Sequence, residues 1–275
     1  MLKTLTILIF SLFAYTKVYA QINFFGGRAA GTSNSSVCYR DNWGQLNNQA
    51  GLAYVDDITI SLGFTNAYFI KELSTNTIAI GLPTKTGVFG LNYTYFGYSK
   101  FNQNKIGLAY AKKLGKKISA GIQINYLYTH IEGEYGSNGT AYGEIGLLTE
   151  PIDNLFFAAH ISNFWHTKYT DYTDLYIPMI FRIGAGYLLY EKALLSIEFE
   201  KDFERELIFK SGLEFDLNKE FYFRFGIATN PMVFSFGFGY QIKSFKVDIA
   251  FSKHPVLGYS PAIGLNYTFG KPNKE

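Results

Sequence analysis

Along most of this chain, large apolar residues alternate with small or polar ones at a period of two. In Phe234-Ser235-Phe236-Gly237-Phe238-Gly239-Tyr240 the rings occupy every second position, and Phe221-Tyr222-Phe223-Arg224-Phe225-Gly226-Ile227 repeats the pattern. A β-strand sends successive side chains to opposite faces, so each such segment has one greasy face and one small or polar face. From Asp57 onward, about fourteen segments read this way, each near the ~10 residues that cross a bilayer at a tilt. They centre near Ile60, Ile78, Leu91, Leu108, Ile122, Ile145, Ala158, Ile183, Ile197, Leu213, Phe225, Phe236, Val247 and Leu265. The pattern predicts an all-β chain, a transmembrane antiparallel β-barrel with an apolar outside and a polar inside.

The connections fit that picture. Leu114-Gly115-Lys116-Lys117, Leu217-Asn218-Lys219-Glu220 and Thr229-Asn230-Pro231 read as tight turns, whereas Gly133 to Gly139 and His166 to Asp174 read as longer loops. Short turns on one side and longer loops on the other are expected of an outer-membrane barrel. Residues 21–56 lack alternation and are rich in Gly, Asn and Ser, which predicts an irregular, plug-like segment at the barrel mouth. Residues 1–20 read as a cleaved secretory signal: Lys3, an apolar core from Leu5 to Ala14, and Val18-Tyr19-Ala20 before the cut. The expected division is therefore signal 1–20, plug 21–56, barrel 57–270 and tail 271–275, with a last strand from Ala262 to Phe269. Cys38 lies too far from the cut to carry a lipid anchor.

Composition narrows the choice. Phe, Trp and Tyr make up 18% of the 275 residues, more than a soluble domain readily hides. The mean hydropathy of +0.01 suits strands that are half lipid-facing. After the N-terminus no apolar run approaches ~18 residues, which excludes a helical bundle. A soluble β-sandwich with the rings in its core is the alternative fold, but it leaves the Tyr-rich strand ends and the missing polar outer faces unexplained. Tyr93, Tyr95, Tyr98, Tyr126, Tyr128, Trp165, Tyr187, Tyr190, Tyr240 and Tyr267 are expected in the interfacial girdles. The net charge of +3 is scattered, so nothing points to nucleic acid.

Alternation also assigns the inner face. Arg182, Glu198, Glu200, Lys210, Glu214, Arg224, Lys246 and Asp248 all fall on it, on consecutive strands of the C-terminal half. A charge on the lipid face would cost ~2–4 kcal/mol at mid-membrane, so the lumen is where these side chains belong. They read either as a polar pathway or as a structural ladder of ion pairs; their mixed sign favours the ladder. No Gly-x-Ser-x-Gly elbow and no metal-binding histidine motif is present, so neither an enzyme nor a cofactor is expected. The stretch His160 to His166, with Trp165, reads as part of the membrane-edge belt rather than as a catalytic site. The interruptions Leu82-Pro83-Thr84 and Tyr176-Ile177-Pro178 are places where a wall could open.

The N-terminal segment carries a resemblance. Gly26-Gly27-Arg28-Ala29-Ala30-Gly31, Asn42-Trp43 and Asn47-Asn48-Gln49-Ala50-Gly51-Leu52-Ala53 resemble the opening of FadL-type barrels. Those commonly read Gly-x-Arg-x-Ala-x-Gly, then an Asp-x-Trp-like step, then Asn-x-Pro-Ala-Gly-Leu. Gln49 stands where the pattern has proline, and the chain is shorter than FadL transporters. Over nearly its full length it also resembles PorV/PorQ-like outer-membrane proteins of Bacteroidota, including at Lys71 to Thr75 and His254 to Pro261. That resemblance implies a binding or scaffold barrel in the outer membrane, associated with type IX protein secretion and contacting outer-membrane lipids and secretion proteins. The FadL likeness implies the alternative, a transporter of hydrophobic small molecules.

Overall fold

Alternation with no polar outer face leaves a sheet only one way to satisfy its edges in lipid, which is to close on itself. The computed structural model describes residues 26–133, 136–169 and 176–270. The expected signal segment and the tail 271–275 lie outside the described residues, as do positions 170–174 of the expected His166–Asp174 loop. Strands β1 (Thr59–Asn66), β2 (Ser74–Pro83), β3 (Val88–Tyr98), β4 (Phe101–Lys113) and β5 (Ile118–Ile131) rise and fall in turn. They are followed by β6 (Ser137–Ile152), β7 (Leu155–Ser162), β8 (Ile180–Leu189), β9 (Ala193–Asp202) and β10 (Ile208–Asp216). The sequence ends with β11 (Phe221–Ala228), β12 (Val233–Ile242), β13 (Phe245–His254) and β14 (Gly258–Thr268). Each strand pairs antiparallel with its sequence neighbours, and β1 pairs with β14 to close the barrel. All fourteen centres read from the sequence fall inside these strands.

The outer face carries the rings. Phe223 pairs with Phe238 at 5.5 Å between centroids, and Phe236 stacks on Phe251 at 5.4 Å, each across neighbouring strands. Phe223→Arg, which puts a cation on this face, is expected to cost ~2–4 kcal/mol. Urea titration of the refolded barrel in lipid checks it; an unchanged midpoint would mean that Phe223 does not face the membrane.

The barrel is lopsided. Strands β4, β5 and β6 have 13, 14 and 16 residues, whereas β7, β10 and β11 have 8, 9 and 8. At one mouth the connections are the short turns 84–87, 114–117, 153–154, 190–192, 217–220 and 243–244; the opposite mouth carries the longest ones, 67–73 and 163–179, together with the short turns 99–100, 229–232 and 255–257.

Several expectations are corrected. Ser137 to Gly139 belong to β6 rather than to a loop, because the β5–β6 ladder continues to the pair His130–Ser137 and the Tyr126 ring lies over Gly139. The last strand starts at Gly258, four positions before the expected Ala262, because the β13 ladder extends to His254–Gly258. Pro83 ends β2 with its ladder to Val88 intact, so no gap opens there. The other interruption does coincide with a change in the wall. β7 pairs with β6 only up to Glu144–Ser162, so Ser137 to Gly143 have no strand beside them on that side. The β7–β8 connection covers them instead, through Asn163 N–H to the Gly143 carbonyl and the Thr167 hydroxyl to the Ala141 carbonyl.

Candidate functional site

The segment before β1 folds into the lumen. It consists of a helical turn at Gly26–Ala30, another at Gly44–Asn47 and a 3-10 turn at Gln49–Tyr54, joined by loops. Such short helices cannot satisfy their own backbone groups, and the wall supplies partners. Glu198 accepts the N–H groups of Ser36 and Val37, each at 2.8 Å. Arg182 donates to the Asn47 carbonyl. The Asn48 amide donates to the carbonyls of Val37 and Leu147, while its oxygen accepts the Ala50 N–H. Gln49, where the FadL-type pattern has proline, donates to Glu144 at 2.6 Å.

Two chains of buried charge run from wall to plug. In the first, Arg28 of the plug forks onto Glu214 at 2.6 and 2.8 Å and also meets Asp41 at 2.8 Å. Arg224 reaches the same Glu214 at 2.5 Å and Asp248 at 2.8 Å. Burial opposes the Arg28 charge, but Glu214 and Asp41 outweigh it and hold the guanidinium above its ordinary pKa. In the second chain Lys210 bridges Glu200 at 2.6 Å and Glu198 at 3.3 Å, and Arg182 stands 4.0 Å from Glu198. The eight inward charges read from the sequence thus fall into these two groups, except Lys246, which lies 4.1 Å from the centroid of the Tyr222 ring.

His160 is a correction. It sits on the inward face of β7 and is 3% exposed, between Glu144 at 3.1 Å and Arg182 at 2.9 Å. Its neighbours Phe157 and Ile161 face out, and that alternation was available in the sequence. Trp165 does lie outside, with Phe164, over Gly143. Glu144 and Lys105, both buried and inward, are further functional candidates that sequence reasoning missed. Their signal is the same period of two, in Lys105-Ile106-Gly107-Leu108 and Glu144-Ile145-Gly146-Leu147.

The lumen is not uniformly polar either. Val37, Cys38 and Ala50 of the plug pack against Leu148, Phe156 and Ala158 of the wall, and Leu52, Ala53 and Val55 pack against Val88, Ala109 and Ala111. Cys38 is buried in the first cluster, and burial pushes its pKa up. Trp43 is buried under Gly26, where φ is +87° and a Cβ would meet the indole at 2.8 Å. Inward glycines make room for the plug. A Cβ on Gly121 would fall 2.5 Å from the Gln49 carbonyl carbon, and one on Gly90 2.6 Å from the Gln45 side chain.

Cavities remain at both mouths. One of about 380 Å³ opens at the long-loop mouth, between plug residues Ala30, Ser33 and Asn34 and wall residues Ala228, Val233 and Ala262, with the paired Glu200 and Lys210 also in its lining. Loop tips around that mouth expose apolar side chains, with Phe69 68% and Val256 84% exposed. The other, about 590 Å³, opens at the short-turn mouth and is strongly charged, with Arg28, Arg40, Asp41 and Asp57 in its lining. Among the described residues no cluster suited to a metal ion is present.

No family model matches the chain, and none of the curated proteins resembles it in sequence. Solved structures do resemble it. The toluene transporter TbuX of Ralstonia pickettii superposes with a TM-score of 0.71 at 11% identity, over 92% of this chain and 100% of that one. The toluene transporter TodX of P. putida gives 0.69 at 10% identity, over 90% and 99%. A FadL homologue from Pseudomonas aeruginosa gives 0.61 at 13%, over 89% and 98%. At such identities the likeness is one of fold, a closed 14-strand barrel.

Proposed function

We propose that this chain is an outer-membrane barrel, exported by its N-terminal signal, that admits small hydrophobic molecules. The observation that carries the reading is the cavity of about 380 Å³ at the long-loop mouth, floored by the plug, with the exposed apolar tips Phe69 and Val256 on two loops of the same mouth. An open water-filled pore has no use for such a rim, whereas a site that collects apolar solutes does. The short turns then face the periplasm and the long loops the outside. The fold shared with the toluene transporters TbuX and TodX supports the same reading. A bound molecule leaves by displacing either the β7–β8 connection that covers the unpaired stretch of β6, beside Phe164 and Trp165, or the plug.

The test is entry of the hydrophobic dye N-phenylnaphthylamine into intact cells that display the barrel. Ala228→Trp fills the cavity from the wall and is expected to lower entry to the level of cells without the barrel, while the variant still assembles. Equal entry with the wild type and the Trp variant would overturn the reading.

The second reading is a PorV-like scaffold working with type IX secretion. The observation in its favour is the plug itself, which charge pairs and apolar clusters hold against the wall on several sides. A stoichiometric protein partner recovered on gentle extraction would support it.

A further inference from the structure

The membrane-facing wall carries a groove of about 580 Å³ that crosses β14, β1 and β2 and ends at Tyr93 of β3. Its sides are two rows of outward side chains set by the strand register. Leu265, Leu62, Ile78 and Tyr93 stand opposite one another in the first row, and Ile263, Phe64 and Asn76 in the second. Outward positions on one strand lie ~6.6–6.8 Å apart, and between the rows only the backbone at Gly63 and Thr77 forms the floor. The Thr77 side chain points inward, where its hydroxyl meets that of Thr94. The ladders from β14 to β3 run unbroken through this stretch, so the groove is closed to the lumen.

One residue of this lining is polar and faces lipid. Asn76 is exposed between its cross-strand partners Phe64 and Tyr95, and a carboxamide in hydrocarbon is costly unless it finds a hydrogen-bond partner. It lies two positions from the long-loop end of β2, in line with Tyr95, Asn104 and Tyr128 on the next three strands. The Tyr93 hydroxyl donates to Asn104 at 2.6 Å. Phenols and amides at one level mark the headgroup boundary of the outer leaflet. The groove opens at that boundary and continues into the hydrocarbon along Leu62, Ile78 and Leu265. Among the described residues no charged side chain lines it.

We propose that the groove holds one acyl chain of an outer-leaflet lipid, with the Asn76 amide donating to the carbonyl of the chain's ester or amide link. Continuity argues for lipid: the groove is part of the face the bilayer covers, and Ile106 and Ile249 are exposed on its two flanks. Three strand spacings of ~4.8 Å make it ~14 Å long, so it takes one chain rather than a whole lipid. The carbonyl is favoured over the lipid's phosphate because the groove offers a neutral donor and no cation. The proposal does not depend on what the lumen carries.

The test is native mass spectrometry of the refolded full-length barrel, released from detergent micelles that contain dioleoylphosphatidylethanolamine. Wild type is expected to retain one lipid, and so is Phe225→Leu, a control on the lipid face of β11. Leu62→Trp fills the groove from β1 and should retain none. Asn76→Leu removes the amide and should bind about tenfold more weakly, the size of one hydrogen bond. Every substitution leaves an apolar residue facing lipid, and heat-modified gel mobility shows that each barrel has closed. If Leu62→Trp fails to close, Asn76→Leu decides alone. No lipid on the wild type, equal retention by Leu62→Trp, full affinity in Asn76→Leu, or an equal loss in the control would each overturn the proposal. So would a wild-type dimer that Leu62→Trp splits, since the groove would then belong to a second copy.

Discussion

Arg224→Met is expected to cost about 3–5 kcal/mol and to loosen the plug, the largest single-residue effect in the molecule. Arg224 is 0% exposed and answers two carboxylates, Glu214 at 2.5 Å and Asp248 at 2.8 Å. Methionine fills a similar volume but leaves buried Asp248 without an ion-pair partner among the described residues, and leaves Arg28 as the one described ion-pair partner of Glu214. Because Glu214 is also the wall anchor of Arg28, the loss passes to the Gly26–Ala30 turn. Trp43 is buried within the plug, so its fluorescence in a Trp165→Phe background reports on seating. A lower urea midpoint and a red-shifted Trp43 are expected. Adding Asp248→Asn, which removes the stranded charge, should recover most of the loss. A single variant that unfolds at the wild-type midpoint would show that these charges do not hold the plug.

Gly226→Val is expected to act on the same docking by shape instead of charge. A Cβ at Gly226 would overlap the backbone of Thr32 and Ser33, and backbone cannot rotate aside as a side chain can. Overpacking a tight contact costs roughly 1–3 kcal/mol, and more where a segment has to lift away. The barrel should still form, since valine suits a strand, but limited proteolysis should cut the plug. Gly115→Val is the matched control: it sits in a turn with nothing within 4 Å, and the plug should resist cleavage as in wild type. Equal resistance in both variants would mean that the plug does not sit on β11.

These two positions also show what the sequence discloses. The period of two placed every strand, because burial against lipid repeats with the pleat and needs no partner further along the chain. The same rule places Arg224 and Glu214 on the inner face. It leaves open that Arg28 joins them, since that bond links positions 186 residues apart. Gly226 was visible only as the small member of an alternating pair, and its use as a seat for Thr32 depends on where the plug lies. Leu148 and Phe156 break the polar inner pattern because they face the apolar side of the plug rather than water. His160, Lys105 and Glu144 were legible by alternation. A search for catalytic and metal motifs passes over them, since they form neither.

The most direct test of the account is the ionic current of the purified wild-type barrel in a planar bilayer. A lumen held shut by Arg28, Glu198, Glu214 and the apolar clusters should carry no steady current, and Arg224→Met should open one. A stable ohmic current from the wild type would contradict the account, because it would mean that water and ions pass between the plug and the wall.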